Sequence, residues 1–192
     1  GNYSSGKMGY AIAGELAQQG AEVFLISGPV SFALQKKGVH VIHVESAKEM
    51  HDACLKYFPD SDGAIMAAAV SDFSPVRPEH QKTKRGKKIW NLELHPTVDI
   101  AATLGKIKRK KQILAGFALE TNDEIENARK KLINKNLDFI VLNSLRDQGA
   151  GFGGDTNKIT IIDKSNNRQA FELKRKKEVA ADIVEKLISL LL

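Results

Sequence analysis

The first eight residues, "GNYSSGKM", nearly match a phosphate-binding pattern. Their spacing, with Gly6-Lys7 four residues after the first glycine, matches the start of the P-loop, G-x-x-x-x-G-K-[ST], whose last hydroxyl binds Mg²⁺. Met8 stands where that hydroxyl should be, so the magnesium chemistry of a P-loop is excluded. A loop that leads into a helix still presents free N–H groups to an anion. Two interpretations stay open: an anion-binding loop to which Asn2 adds an amide, or serines and Gly6 that only cap a helix.

A second candidate segment is MAAAVSDF, which begins at Met66 and ends a predicted strand. The side chains of Ala67, Ala68 and Ala69 are small enough to let a ligand approach the backbone closely. Tight packing of a helix on the sheet explains these alanines equally well. Helix packing does not explain the carboxylate of Asp72, which follows directly. A carboxylate near basic clusters indicates a nucleotide or magnesium site.

A third candidate segment is a basic predicted loop over residues 71–88, which has two prolines and no apolar period. A loop of this length inside a compact domain is usually a functional flap or a disordered segment. The cationic side chains of residues 82–88 could close over a triphosphate; they are Lys82, Lys84, Arg85, Lys87 and Lys88. A solvated charged loop is the alternative interpretation.

Three residues further along could complete such a site. Phe117 ends a predicted strand, where an aromatic ring could pack on a base. Lys131 and Lys135 are four residues apart on the following predicted helix, so they share one face and could reach phosphates.

These segments belong to a chain in which predicted strands and helices alternate. The hydrophobic pattern predicts strands over residues 21–27, 39–45, 63–70, 89–94, 112–119 and 137–143, and helices over 4–20, 47–57, 98–104, 123–135 and 179–192. Ser46 is the predicted N-cap of the second helix. A hairpin follows late, with strands on either side of residues 165–167.

This order predicts an α/β fold: a Rossmann-like, doubly wound, mostly parallel sheet with a late antiparallel hairpin and a mobile flap. Ligands bind such sheets beyond the carboxyl ends of the strands, where the candidate segments lie. Such domains usually open with a strand, whereas this chain opens with a helix. We therefore expect residues 1–192 to form one domain that lacks its N-terminal strand and Gly-rich loop.

The amino-acid composition limits the classes of protein to which the chain can belong. The 192 residues are 42% apolar and 27% charged, with one cysteine, Cys54, and five scattered histidines. These values favour a globular cytoplasmic protein with neither a disulfide framework nor a histidine metal site. No apolar run reaches the length of a membrane span and no signal peptide is visible, so no membrane partner is expected. The net charge of +6 lies in short clusters without interleaved aromatics, which favours a small polyanion over nucleic acid.

The motifs together resemble phosphopantothenoylcysteine synthetase of the bacterial, CTP-dependent type, the synthetase domain of the bifunctional coenzyme A biosynthesis flavoprotein. The resemblance runs from Asn2 to about Lys164 and rests on N-x-SSGKMG, GAEVFLISGPV, AAAVSDF, the K-x-K of the flap, GFALET, and LDFIVLN followed by F-x-x-D-x-N. It implies a ligase that joins 4'-phosphopantothenate to L-cysteine through an acyl-cytidylate made from CTP with Mg²⁺. It also implies a homodimer, fused to or associated with a phosphopantothenoylcysteine decarboxylase flavoprotein, with no flavin site in this chain.

The resemblance also implies a role for individual residues. Asn2 and Lys82 would be catalytic, and Asn2, Ala68 and Ala69 would contact the acyl intermediate. The nucleotide site would consist of Met66, Ala67, Ala68, Asp72, Lys82, Val98, Asp99, Ile100, Ala101, Phe117, Lys131 and Lys135, with Asp72 as the magnesium ligand.

Two other classes of protein compete with this interpretation. One is a nicotinamide-dependent oxidoreductase on a Rossmann-like fold. No G-x-G-x-x-G follows any predicted strand, which counts against it. The other is a basic α/β domain that binds nucleic acid.

Overall fold

The computed structural model describes residues 5–31, 33–77, 81, 84–85, 89, 91–120, 122–144 and 154–192. The helices are α1 (Lys7–Gln18), α2 (Ala47–Tyr57), α3 (Ile100–Ile107), α4 (Glu124–Asn134) and α5 (Lys176–Leu191). The strands are β1 (Val23–Ser27), β2 (Val39–His43), β3 (Gly63–Met66), β4 (Phe73–Pro75), β5 (Leu94–Pro96), β6 (Ile113–Glu120), β7 (Phe139–Ser144), β8 (Thr156–Asn157), β9 (Ile159–Asp163), β10 (Arg168–Ala170) and β11 (Lys174–Arg175).

The central sheet has five strands in the order β10-β9-β7-β6-β3. Strands β3, β6 and β7 are parallel, and β9 and β10 add the antiparallel hairpin at one edge. Strands β1 and β2 form a separate parallel pair, and two further antiparallel pairs join β4 to β5 and β8 to β11. The predicted α/β class, mostly parallel with a late antiparallel hairpin, is confirmed.

Helices cover both faces of the central sheet. Along β6, Leu114 points into a core shared with α2, α3 and α4, while the next residue, Ala115, points into a core shared with α1 and α5. Val179 and Ile183 of α5 are fully buried in the second core, so α5 packs on the sheet. Within the described part of the chain, no helix combines the length and the apolar character that a membrane crossing requires.

Several element boundaries differ from the predicted ones, and each difference has a local cause. β3 ends at Met66 instead of residue 70, where the N–H of Ala67 donates to the carbonyl of Ile65 at 3.2 Å. The helix predicted from residue 98 begins at Ile100, because Asp99 caps it. Ser46 caps α2 as predicted, accepting from the N–H of Glu49 at 3.1 Å.

The largest difference lies in the predicted flap. Residues 73–75 were expected to be loop, but they form β4 and pair with β5. The strand predicted over 89–94 lies instead at Leu94–Pro96. Pairing of two short segments about twenty residues apart depends on tertiary contact and leaves no period in the sequence.

Candidate active site

A cavity of about 210 Å³ lies at the carboxyl end of β3, between the sheet and helices α3 and α4. Its floor is apolar and its mouth is polar. The apolar lining residues are Met66, Ala68, Val70, Val98, Ile100, Ala101, Gly116, Phe117, Leu137 and Ile140, and the buried ones that form the floor are Ile100, Gly116, Leu137 and Ile140. The polar residues are Ser71, Asp72, Thr97, Asp99, Lys131 and Lys135.

Asp99 fixes one side of the mouth by capping α3. Its carboxylate accepts the N–H of Ala102 at 3.0 Å and lies 3.0 Å from the ammonium of Lys135. Partial burial acts to raise the pKa of Asp99, but the helix N–H groups and Lys135 outweigh it and hold the pKa below its ordinary value. Asp99 is therefore ionised at neutral pH and places Lys135 beside the first turn of α3.

Lys131 stands one helical turn before Lys135 and has its own carboxylate partner. Its ammonium lies 2.6 Å from Glu120, at the end of β6. The Lys131 side chain is 43% exposed whereas that of Glu120 is 15% exposed. The lysine is thus the more exposed member of the pair.

The opposite rim of the cavity is held by the segments that flank β4 and β5. The hydroxyl of Thr97 donates to the carbonyl of Ser71 at 2.6 Å, and its N–H donates to the carbonyl of Asp72 at 2.9 Å. These bonds join the segment after β3 to the segment before α3. They place the carboxylate of Asp72 on the rim.

Helix α3 lies very close to the residues that directly follow α4, and the contact is at Gly105. A Cβ at this position would lie 2.0 Å from the carbonyl oxygen of Lys135. The side chain of Asn136 donates to the carbonyl of Gly105 at 2.8 Å. Only glycine permits this contact, which sets the position of Lys135 relative to α3.

The structure brings most of the predicted nucleotide-site residues to this one cavity: Met66, Ala68, Asp72, Val98, Asp99, Ile100, Ala101, Phe117, Lys131 and Lys135. Ala67 and Ala69 do not line it. Ala67 faces α1, where a Cβ at Gly9 would lie 3.9 Å from the Ala67 Cβ. Asn2 and Lys82 lie outside the described residues.

Sequence reasoning missed Glu120 and Thr97. Glu120 lies in the GFALET segment, directly after the predicted strand, so its position could have indicated a residue of the site. Nothing in the sequence marks Thr97 as the residue that joins the two rim segments.

The opening loop is described only from Ser5 onward. Gly6 is the N-cap of α1 with φ of 77°, a left-handed conformation that favours glycine, and α1 has no side-chain cap. Lys7 pairs with Asp155 at 2.6 Å. In the described residues, no group of three or more His, Cys, Asp and Glu side chains could hold a metal ion.

Comparison with known proteins shows to which protein family the chain is similar. A family model described as "DNA/pantothenate metabolism flavoprotein C-terminal domain" matches residues 1–191. A relative named "Cysteine/Cysteine sulfinic acid decarboxylase", from an unknown prokaryotic organism, is 57% identical and spans 98% of the chain and 53% of its own length. "Coenzyme A biosynthesis bifunctional protein CoaBC" of Bacillus subtilis (strain 168) is 46% identical over 98% of the chain and 46% of its own length. The chain spans about half the length of these relatives.

Solved structures agree with the fold. The crystal structure of the C-terminal domain of CoaBC matches with a TM-score of 0.80 and 39% identity, covering 98% of this chain and 84% of that one. The DNA/pantothenate metabolism flavoprotein of Streptococcus pneumoniae matches with a TM-score of 0.82 and 23% identity, covering 97% of this chain and 89% of that one. The second likeness concerns the fold alone.

These matches overturn the predicted ligase identity and activity. The matching family is described as a flavoprotein domain and the 57%-identical relative is named a decarboxylase, so the assignment as a CTP-dependent phosphopantothenate–cysteine ligase is corrected. The predictions of CTP as substrate and Mg²⁺ as cofactor depended on that assignment and are withdrawn with it. The alternative prediction, a nicotinamide-dependent oxidoreductase, is not supported by the matches either. The ligase prediction failed for a physical reason. The motifs are a glycine-containing loop, small residues at a strand end and a pair of lysines, and these features indicate only that an anion can bind. Enzymes that catalyse many different reactions bind anions in this way. The predicted connection to coenzyme A biosynthesis and to a longer bifunctional protein agrees with the relatives.

The family description implies a flavin, which the cavity does not fit. Its volume of about 210 Å³ is below the roughly 300–1,000 Å³ of sites that enclose ligands of that size. Two lysines at its mouth suit a phosphate better than an uncharged tricyclic ring. The flavin ring is therefore not assigned to the described residues of this chain.

Proposed function

The chain belongs to the family of DNA/pantothenate metabolism flavoprotein C-terminal domains, and on that basis we propose that it is the C-terminal domain of a decarboxylase that acts in coenzyme A biosynthesis. The names of the relatives support this proposal. The substrate class of the whole protein is a carboxylate derived from cysteine. The part of that work proposed for this chain is binding of a phosphate-bearing, nucleotide-like ligand.

The observation that carries the binding role is the convergence of Lys131 and Lys135 on one cavity with an apolar floor. The floor suits the uncharged part of a ligand, and the ammonium groups suit its phosphate. Predicted nucleotide-site residues from four separate stretches of the sequence line this cavity. Ala68 and the first turn of α3 would contact the ligand through their backbone.

Charge at the mouth sets a condition on binding. The lining residues and Glu120 supply two ammonium groups and three carboxylates, those of Asp72, Asp99 and Glu120. An anion therefore binds only when a lysine leaves its carboxylate partner. Lys131 meets this condition because its side chain is the more exposed member of its pair.

Calorimetry with a series of nucleoside monophosphates tests the binding role. Lys131→Gln and Lys135→Gln should each weaken binding roughly tenfold to a hundredfold, because a hydrogen bond to a charged group is worth about 1.5–3 kcal/mol. Glu120→Gln should strengthen it, since Lys131 loses its competing partner. Lys130→Gln is the matched control, because Lys130 lies on the same helix but pairs with Glu126 and does not line the cavity.

The binding proposal fails if none of these ligands binds, or if all four variants bind alike. Release of CO₂ by the full-length protein from cysteine and its acylated derivatives tests the decarboxylase assignment separately. A full-length protein that releases none would contradict that assignment and leave the calorimetric result standing.

We also propose that the protein is a homodimer. Phe73, Val76, Leu92 and Leu94, in and next to the β4–β5 pair, are 42–56% exposed. Burial of these side chains against a second copy would stabilise a dimer. Light scattering of the full-length protein should give the mass of two chains, and Phe73→Ser with Leu94→Ser should give that of one. A single-chain mass for the unaltered protein would refute the proposal.

A further inference from the structure

A second cavity, of about 410 Å³, lies at the amino ends of β3 and β6. Two short segments line it: Ser61 and Asp62 before β3, and residues 109–112 before β6, which we call the basic turn. The N–H of Ile113 donates to the carbonyl of Asp62 at 3.0 Å and joins the two segments. Because β3 is four residues long, this cavity lies about 10 Å along the strand from the candidate active site at the carboxyl end.

Two buried polar side chains hold the basic turn at its ends. The side chain of Gln112, a residue only 3% exposed, donates to the carbonyls of Phe58 at 2.7 Å and Ser61 at 2.8 Å. It also accepts the N–H of Arg109 at 2.8 Å. Directly before the turn, the side chain of Lys108 is 6% exposed and pairs with a carboxylate at 2.6 Å. The backbone of the turn is therefore fixed on both sides.

The residues between these two anchors carry positive charge without a counter-charge. Arg109, Lys110 and Lys111 are exposed, and none of them forms an ion pair with a described residue. In the same part of the chain, the backbone N–H groups of Lys110 and Lys111 make no hydrogen bond. Asp62 is the one carboxylate among the residues that line the cavity, so the lining side chains have a net charge of +2. Adjacent like charges repel each other, and a bound anion would remove that cost.

The arrangement fits a diphosphate group better than a single phosphate. Arginine and lysine side chains form strong, charge-assisted hydrogen bonds with phosphate oxygens. Consecutive residues stand about 3.8 Å apart, so the three cations form a row that can follow a chain of phosphates. The cavity volume of about 410 Å³ lies within the range of roughly 300–1,000 Å³ that is usual for small-ligand sites. A turn that is fixed before binding loses little conformational entropy when the ligand binds.

We propose that the basic turn, together with Ser61 and Asp62, is a second anion site, which binds pyrophosphate or the diphosphate group of a larger small molecule. The site is separate from the candidate active site, and the proposal does not depend on the function proposed for that site. Nucleic acid is the other class of partner that basic surfaces bind. A cavity between two fixed segments suits a small ligand better than the long, regular backbone of a duplex.

Calorimetry of the full-length protein with pyrophosphate tests the proposal. Lys131→Gln with Lys135→Gln disables the candidate active site and should leave pyrophosphate binding at the basic turn intact. In that background, Arg109→Gln with Lys110→Gln and Lys111→Gln should weaken binding at least about a hundredfold, because three charge-assisted hydrogen bonds are lost. Titration with ADP identifies the source of the diphosphate group. ADP that binds more tightly than pyrophosphate indicates a larger ligand, and ADP that binds equally or more weakly indicates pyrophosphate itself.

A matched control makes the same change in net charge at exposed lysines that do not line the cavity: Lys48→Gln, Lys130→Gln and Lys177→Gln. This variant should bind pyrophosphate within about twofold of its parent, since salt screens distant exposed charges. Equal affinities in the two triple variants, or loss of all binding once Lys131 and Lys135 are replaced, would overturn the proposal. Binding of a short DNA duplex at the basic turn, without binding of pyrophosphate, would also overturn it and would assign the surface to nucleic acid.

Discussion

Replacement of Gly105 by alanine tests whether the contact between α3 and α4 is as close as the structure shows. The new Cβ would lie 2.0 Å from the carbonyl oxygen of Lys135 and 3.2 Å from Cβ of Asn136. The nearest atom belongs to backbone, so no side-chain rotation relieves the overlap. The two helices must separate by more than ~1 Å to restore an ordinary contact distance.

The cost follows from two opposing effects. Overpacking of this kind costs about 1–3 kcal/mol, and the better helix propensity of alanine returns about 1 kcal/mol. We expect a net loss of up to about 2 kcal/mol in the free energy of unfolding, which lowers the Tm of a protein of this size by up to about 8 °C. Since Lys135 moves with α4, binding of a phosphate-bearing ligand should weaken in the same variant.

Gly14→Ala is the matched control. Gly14 lies inside α1, and a Cβ there would meet nothing within 4 Å. This change should raise the free energy of unfolding by about 0.5–1 kcal/mol. Urea denaturation of both variants decides the matter. If Gly105→Ala is as stable as Gly14→Ala, the close contact between α3 and α4 is wrong.

Three further outcomes are expected. Asp138→Asn should cost about 3–5 kcal/mol in urea denaturation because it removes the counter-charge of Lys108, whose side chain is 6% exposed and lies 2.6 Å away. Burial acts to raise the pKa of Asp138, but Lys108 and the other hydrogen-bond donors outweigh burial and lower the pKa. The stabilisation from Asp138 should therefore be present above about pH 4 and lost as the pH falls below that value. A free energy of unfolding that does not change between about pH 2 and pH 5 would contradict this prediction. Tyr10→Phe should cost about 0.5–1.5 kcal/mol by removing the buried bond to Ser27 at 3.0 Å, and an unchanged urea midpoint would refute that. Burial raises the pKa of Cys54 to about 11, so its thiol should react with a disulfide reagent at pH 8 at least about a hundredfold more slowly than in urea, and equal rates would show that it is accessible.

Parts of the fold and site that depend on local sequence could be predicted. Ser46 is a residue type that commonly caps helices and stands directly before the helical pattern, which identified the start of α2. The lining of the cavity was also accessible, because Met66 and Phe117 stand at the ends of predicted strands and such ends converge in a parallel sheet.

Parts that depend on contacts between distant segments could not be predicted. The pairing of β4 with β5 and the approach of Gly105 to Lys135 arise from tertiary packing, which leaves no period in the sequence. The reaction could not be predicted from the motifs either, because residues that bind an anion do not identify the reaction that the anion undergoes. The relatives, not the residues, corrected that part.

The most direct test of the account is to map where a phosphate-bearing ligand contacts the protein. In nuclear magnetic resonance titrations with the tightest-binding nucleoside monophosphate, backbone amide shifts should concentrate at Ala68, Asp72, Ile100 and Ala101. They should weaken in Lys131→Gln and persist in Lys130→Gln. Shifts that cluster on another surface, or that are identical in the two variants, would contradict the claim that this cavity is the binding site.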